Sequence, residues 1–256
     1  MIILLSPAKT LDFSETPIDQ YTTPRFLKES KRLVNSLKKK SAGDIQQLMG
    51  VSENIANLNV DRYKKFKIPF TPDNSKPSIL AFKGDVYIGL EAEKFDEKDL
   101  DYAQEHIRIL SGLYGVLKPL DLMQPYRLEM GTSLETGKNK NLYEFWGNKL
   151  TKTLNEDLKD LEGETFLNLA SNEYFKAVQT KKLKGRLLNI DFKENRDGEL
   201  KFISFNAKKA RGRMAHLVVK ERIEDPEALK ELVVDDYVYA PEHSDENNWM
   251  FIKETD

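Results

Sequence analysis

Four consecutive apolar residues, Ile2–Leu5, are halted by Ser6-Pro7, which predicts a short buried strand. Pro24 then opens a helical stretch in which Phe26, Leu27, Leu33, Val34 and Leu37 fall near one face. Lys38-Lys39-Lys40 close it, where cations complement the helix dipole. A second helix is predicted over 52–66, with Ser52 as N-cap and Ile55, Leu58 and Tyr63 inside. Pro69, Pro72 and Pro77 mark a surface connection, and 78–82 reads as a buried strand running into Lys83-Gly84-Asp85. The clearest helix spans 96–110: Asp96 caps it, Asp99 completes an acidic first turn, and Leu100, Ala103, Ile107 and Leu110 recur at helical spacing.

The second half continues the mixture. A helix over 142–158 precedes a strand over 165–169, and 187–192 and 200–205 alternate around Asn195-Arg196-Asp197-Gly198 as a hairpin. A basic helix over 207–223 follows, then a short one over 226–232 and closing strands near 237–239 and 249–252. Strands and helices do not alternate as regular βαβ units, which argues for α+β rather than a doubly wound sheet. With no repeat and no low-complexity linker, one domain over 1–256 is the simpler organisation.

Composition narrows the function classes. The 256 residues are 39% hydrophobic and 32% charged, enough apolar material for a core. A formal charge of -2 supplies no global field toward nucleic acid or membrane. There is no cysteine, which removes disulfides, thiolate nucleophiles and cysteine metal sites. No run reaches membrane-spanning length and the opening apolar run lacks a basic flank, so a cytoplasmic protein that does not engage membranes is expected. His106, His216 and His243 stand far apart outside any metal-binding frame, and no metal site or cofactor is expected. The chain contains no Gly-x-Ser-x-Gly elbow, Walker loop or dinucleotide fingerprint.

Charge is nevertheless segregated. Residues 25–40 carry seven basic side chains against one acid, 176–186 carry five and none, and 208–222 carry six against Glu221. Acids dominate 85–105 and 224–256. Such runs are either solvated helix faces or the walls of a basic cleft that near-zero net charge conceals. Four polar clusters follow predicted strands: Ser6-Pro7-Ala8-Lys9-Thr10, Lys83-Gly84-Asp85, Ser171-Asn172-Glu173-Tyr174, and Asn206 with Lys208, Lys209 and Arg211. Each alone is a cap, turn or surface pair; gathered on one edge they make a site. Lys208 and Arg211 share a helical strip, flanked by Lys209, and cations opening a helix oppose its dipole unless an anion joins them. Arg127, after Pro125, forks onto either a phosphate or Glu129.

Taken together, Ser6 to Asp12, the Ala81-Phe82-Lys83-Gly84-Asp85-Val86-Tyr87 block, 110–131, 168–176, and Ile203-Ser204-Phe205 with 207–212 resemble the YaaA family of bacterial peroxide-stress proteins. The resemblance implies a family-specific α+β fold and a role in the oxidative-stress response that limits iron-driven damage. It also implies DNA binding through a basic cleft and a helix-hairpin-helix element, placed here on Gly112 and Gly115. The expected DNA contacts are Lys9, Lys83, Gly112, Gly115, Arg127, Lys181, Lys182, Lys208, Lys209 and Arg211. The partner is DNA held by its phosphates without sequence preference. The alternative is an enzyme acting on a nucleic acid or nucleotide in the same cleft, with Asp85 or Glu173 as general base and Asn172 beside them.

Overall fold

The computed structural model describes residues 1–15, 20–161 and 163–255. Ile2–Leu5 lies at the centre of the main sheet, each residue fully buried, as a short run with no polar face requires. It pairs in parallel with Ile107–Ser111 on one side, with Ile3 opposite Ile107, and with Thr165–Asn168 on the other, with Leu4 opposite Asn168. The sheet continues in parallel through Arg186–Arg196 to Asn248–Thr255. Gly115–Leu117 and Val238–Tyr239 close the two edges antiparallel, and Glu199–Lys201 folds back on the long strand.

The domain is mixed α+β, as expected, but its five central strands are all parallel. Numbered in chain order, they run 2-1-3-4-5 across the sheet. Connections from the first strand therefore diverge between Ile2–Leu5 and Thr165–Asn168, leaving a crevice at their carboxyl ends. One apolar core runs through both faces of this sheet, from Leu33 and Trp146 to Phe192 and Val218.

Local chemistry sets the helices. Ser41 and Asp44 form a reciprocal capping box for Ala42–Met49, and Gly50 at φ 59° ends that helix in the left-handed conformation. Ser52 then caps Glu53–Lys65 through the Ile55 amide. Asp96 and Asp99 form the same box for Glu97–His106.

Several boundaries differ from the sequence expectation. The helix begun at Asp96 ends at His106, and Ile107–Ser111 is a buried strand instead, because its apolar residues complete the centre of the sheet. Of residues 78–82 only Phe82 is strand, in Phe82–Lys83: Ser78–Ala81 makes one helical turn, with the Ser78 hydroxyl donating to the Lys118 and Pro119 carbonyls. The 142–158 helix breaks at Gly147, φ 53°, into Leu142–Trp146 and Lys149–Asp160. The helix-hairpin-helix assignment at Gly112 and Gly115 is also overturned. These glycines form a buried turn between two antiparallel strands. The Trp146 indole donates to the Gly112 carbonyl, and a Cβ on Gly115 would stand 2.8 Å from the same ring. Neither glycine can meet a phosphate. A helical hairpin lies earlier in the chain, joining Ala42–Met49 to Glu53–Lys65 through Gly50-Val51-Ser52, with Gly50 and Ser52 exposed.

Candidate anion-binding cleft

The crevice at the strand ends is a cavity of about 520 Å³. Its walls come from all four polar clusters: Ser6 to Thr10, Lys83 to Asp85, Ser171 to Tyr174, and Lys208 with Arg211. The two central strand exits are tied together at its floor. The Ser171 amide donates to Ser6 Oγ at 2.8 Å, the Ser6 hydroxyl reaches Ser171 Oγ at 3.2 Å, and Tyr87 donates to the Ser6 carbonyl at 3.0 Å. Burial pushes the Tyr87 and Tyr174 phenols well above their ordinary range, so both stay neutral donors.

The third wall is hung on the first by a two-residue ladder, Thr10 opposite Lys83. The fourth is set by contact between two helix backbones. Asp85–Leu90 lies against Ser204–Glu221 so closely that a Cβ on Gly212 would stand 1.7 Å from the Val86 carbonyl oxygen. One on Gly89 would stand 2.0 Å from the Lys209 carbonyl oxygen. Glycine inside a helix costs about 1 kcal/mol relative to alanine, and here it permits the approach that sets Asp85 beside Lys208. That packing is the feature sequence reasoning missed. Its signal was present, as two glycines inside helical segments.

Charges in the cleft are loosely matched. Lys208 Nζ lies 3.8 Å from Asp85, Lys83 Nζ 3.1 Å from Asp12, and Lys9 Nζ 3.2 Å from Glu129. The Glu173 carboxylate accepts from the Gly131 amide at 3.0 Å. Arg211 is different. Its side chain is only 12% exposed, its ion-pair partner is Asp191 at 3.8 Å, and its Nε is buried without a hydrogen bond. Desolvation lowers the Arg211 pKa, the mark of a cation held in a dry site with little compensation. An incoming anion supplies what that guanidinium lacks.

Four more of the expected contacts fall outside the cleft. Lys209 turns to the far side of its helix and pairs with Asp235 at 3.1 Å. Lys181 and Lys182 lie in a 3-10 turn packed by Asn155, which donates to the Lys182 carbonyl, and neither lines the cleft. Arg127 takes the structural option, bonding Glu129 at 3.0 Å, and lines a small pocket that shares Lys9 and Tyr174 with the cleft. Phe205, 54% exposed, sits one helical turn before Lys208. Among the described residues no group of three or more His, Asp or Glu is placed to hold a metal ion, and no helix is long and apolar enough to cross a membrane.

The fold is a parallel-cored α+β domain whose crevice, at its topological switch point, gathers Lys9, Lys83, Lys208 and Arg211. Residues 1–243 match the family of the peroxide stress protein YaaA, and the chain belongs to that family. Its role accordingly lies in the peroxide stress response.

Proposed function

We propose that this peroxide stress protein binds DNA in the cytoplasm through backbone phosphates, and that the cleft is its principal anion site. The observation that carries this reading is Arg211, half-buried with an Nε that has no hydrogen-bond partner, in a crevice that also gathers Lys9, Lys83 and Lys208. The helix-hairpin-helix contact implied by the family resemblance is reassigned to Gly50-Val51-Ser52, an exposed glycine-containing turn between two capped helices. Limiting iron-driven damage rests on that resemblance and is the physiological end we assign to the binding.

The test is fluorescence anisotropy with a short labelled duplex across a salt series, using wild type and Lys208→Glu/Arg211→Glu. Phosphate contacts give a log K against log salt slope of about -0.9 each, and the double variant should weaken binding to every sequence alike. Unchanged affinity in that variant would remove the cleft from the DNA site.

A second reading, an enzyme acting on a nucleotide or nucleic acid, is favoured by one feature. A cavity of 520 Å³ has the scale of a small-ligand pocket, with the Asp85 carboxylate 3.8 Å from a lysine inside it. Calorimetric titration with mononucleotides separates the two: saturable binding without duplex affinity selects the enzyme.

A further inference from the structure

A second cationic surface lies away from the cleft, where two helices end side by side. Leu27–Leu37 runs into Lys38, Lys39 and Lys40, and Glu53–Lys65 finishes with Lys64 and Lys65, followed by Lys67. Lys38 Nζ donates to the Phe66 carbonyl at 3.4 Å, which fixes the two ends together. Five of these six lysines are exposed and Lys40 is half-buried. Among the described residues, none of the six is within ion-pair distance of a carboxylate. The nearby Asp44 carboxylate is committed to the Ser41 hydroxyl and amide of its capping box.

Helix dipoles do not account for so much charge. A helix C-terminus presents roughly half a negative charge, so two of them offset about one of six positive charges. Of the six, Lys40 is coupled to Asp44, and an anionic partner would lower the mutual repulsion of the rest, which salt only screens. A chain of contacts leads from the patch toward the cleft. Arg62, in the last turn of Glu53–Lys65, feels the Arg127 guanidinium, and Tyr63 beside it donates to the Arg127 carbonyl. Arg127 in turn shares its pocket with Lys9, which lines the cleft.

We propose that these paired helix ends form a second docking face for the nucleic-acid backbone, carrying the flank of a strand whose phosphates enter the cleft. The proposal rests on the DNA-binding reading. Double-stranded DNA, with one charge per roughly 1.7 Å of axis, is a partner whose charge density matches the patch.

The experiment compares full-length wild type, Lys39→Glu/Lys65→Glu, Lys208→Glu, and Lys152→Glu/Lys159→Glu as a control of equal net charge on another helix. Each is titrated into a labelled 30-base-pair duplex over a salt series, after melting curves establish that it is folded. The patch variant should lose about 1.8 from the magnitude of the salt slope, about 0.9 for each of two phosphate contacts, while the control keeps the wild-type slope. If the patch variant binds like wild type while Lys208→Glu is weakened, the second face is wrong and the DNA reading stands. An equal loss in the control also overturns it, since overall charge then explains the effect. If wild type fails to bind at low salt, the DNA reading falls first and the patch with it.

Discussion

Gly212→Ala is the substitution on which the geometry of the cleft turns. The added methyl would stand 1.7 Å from the Val86 carbonyl oxygen, a backbone atom with no rotamer to escape into. Relieving the clash to an ordinary contact of 3.4 Å moves the helices apart by about 1.7 Å. Overpacking of this kind costs about 1–3 kcal/mol, and a backbone collision belongs at the upper end. Alanine returns about 1 kcal/mol of helix propensity, leaving a net loss of about 2 kcal/mol. For a chain of this size that lowers Tm by roughly 4–8 °C. The same displacement draws Asp85 away from Lys208, now 3.8 Å apart, so anion binding should weaken along with stability. Calorimetric melting of wild type, Gly212→Ala and Gly43→Ala measures this directly. Gly43 is the control, because its added Cβ would meet nothing closer than Ser41 Oγ at 3.8 Å, and that variant should melt at or slightly above wild type. A Gly212→Ala protein melting as high as wild type would refute the close helix contact and the placement of Asp85 that depends on it.

Three further outcomes are expected. Asp157 receives Arg108 and a bidentate Arg25 at 2.7 and 2.8 Å, so Asp157→Asn leaves the buried Arg108 unpaired and should cost about 3–5 kcal/mol by urea denaturation; a loss under 1 kcal/mol would contradict it. Ser41→Ala removes the capping box of Ala42–Met49 and should cost about 1 kcal/mol, with faster amide exchange confined to the helical hairpin. Burial holds the His106 imidazole below its ordinary range, so the unfolded chain takes up that proton first. Stability should therefore be level above about pH 6.5 and decline as pH falls below it, and His106→Gln should flatten that decline.

The cleft was more legible in the sequence than the fold around it. Lys9, Asn172 and Glu173 follow buried strands, and with Lys83, Asp85, Lys208 and Arg211 they line one cavity, although 200–205, expected as the strand before Lys208, is strand only to Lys201 and its Phe202 and Phe205 are exposed. Polar residues leaving a buried element have to emerge at its edge, so their convergence is a property of topology that local pattern anticipates. Lys209 escaped because adjacent helical positions point about 100° apart, and only the packing of Ser204–Glu221 decides which faces inward. Ile107 and Leu110 continue the helical spacing while Ile107 and Ile109 fit a strand, so the end of Glu97–His106 is fixed by the vacancy beside Ile2–Leu5 and not by its own residues. Gly112 and Gly115 carry the same ambiguity: glycine marks a tight backbone but not what surrounds it. The parallel pairing of the five central strands was not readable, since its partners lie more than a hundred residues apart for the first of them.

That central position of Ile2–Leu5 has a consequence for how the chain is made. Its two neighbours, Ile107–Ser111 and Thr165–Asn168, emerge from the ribosome long after it does. At roughly 5–20 residues per second, the first strand waits on the order of ten seconds or more for its second partner. Until then it is an unpaired apolar ribbon, of the kind that chaperones recognise and other nascent chains join. Pairing of the first strand on both sides is thus gated by synthesis of its third parallel strand, and the cleft between them is completed only later, when Ser204–Glu221 brings Lys208 and Arg211 to it.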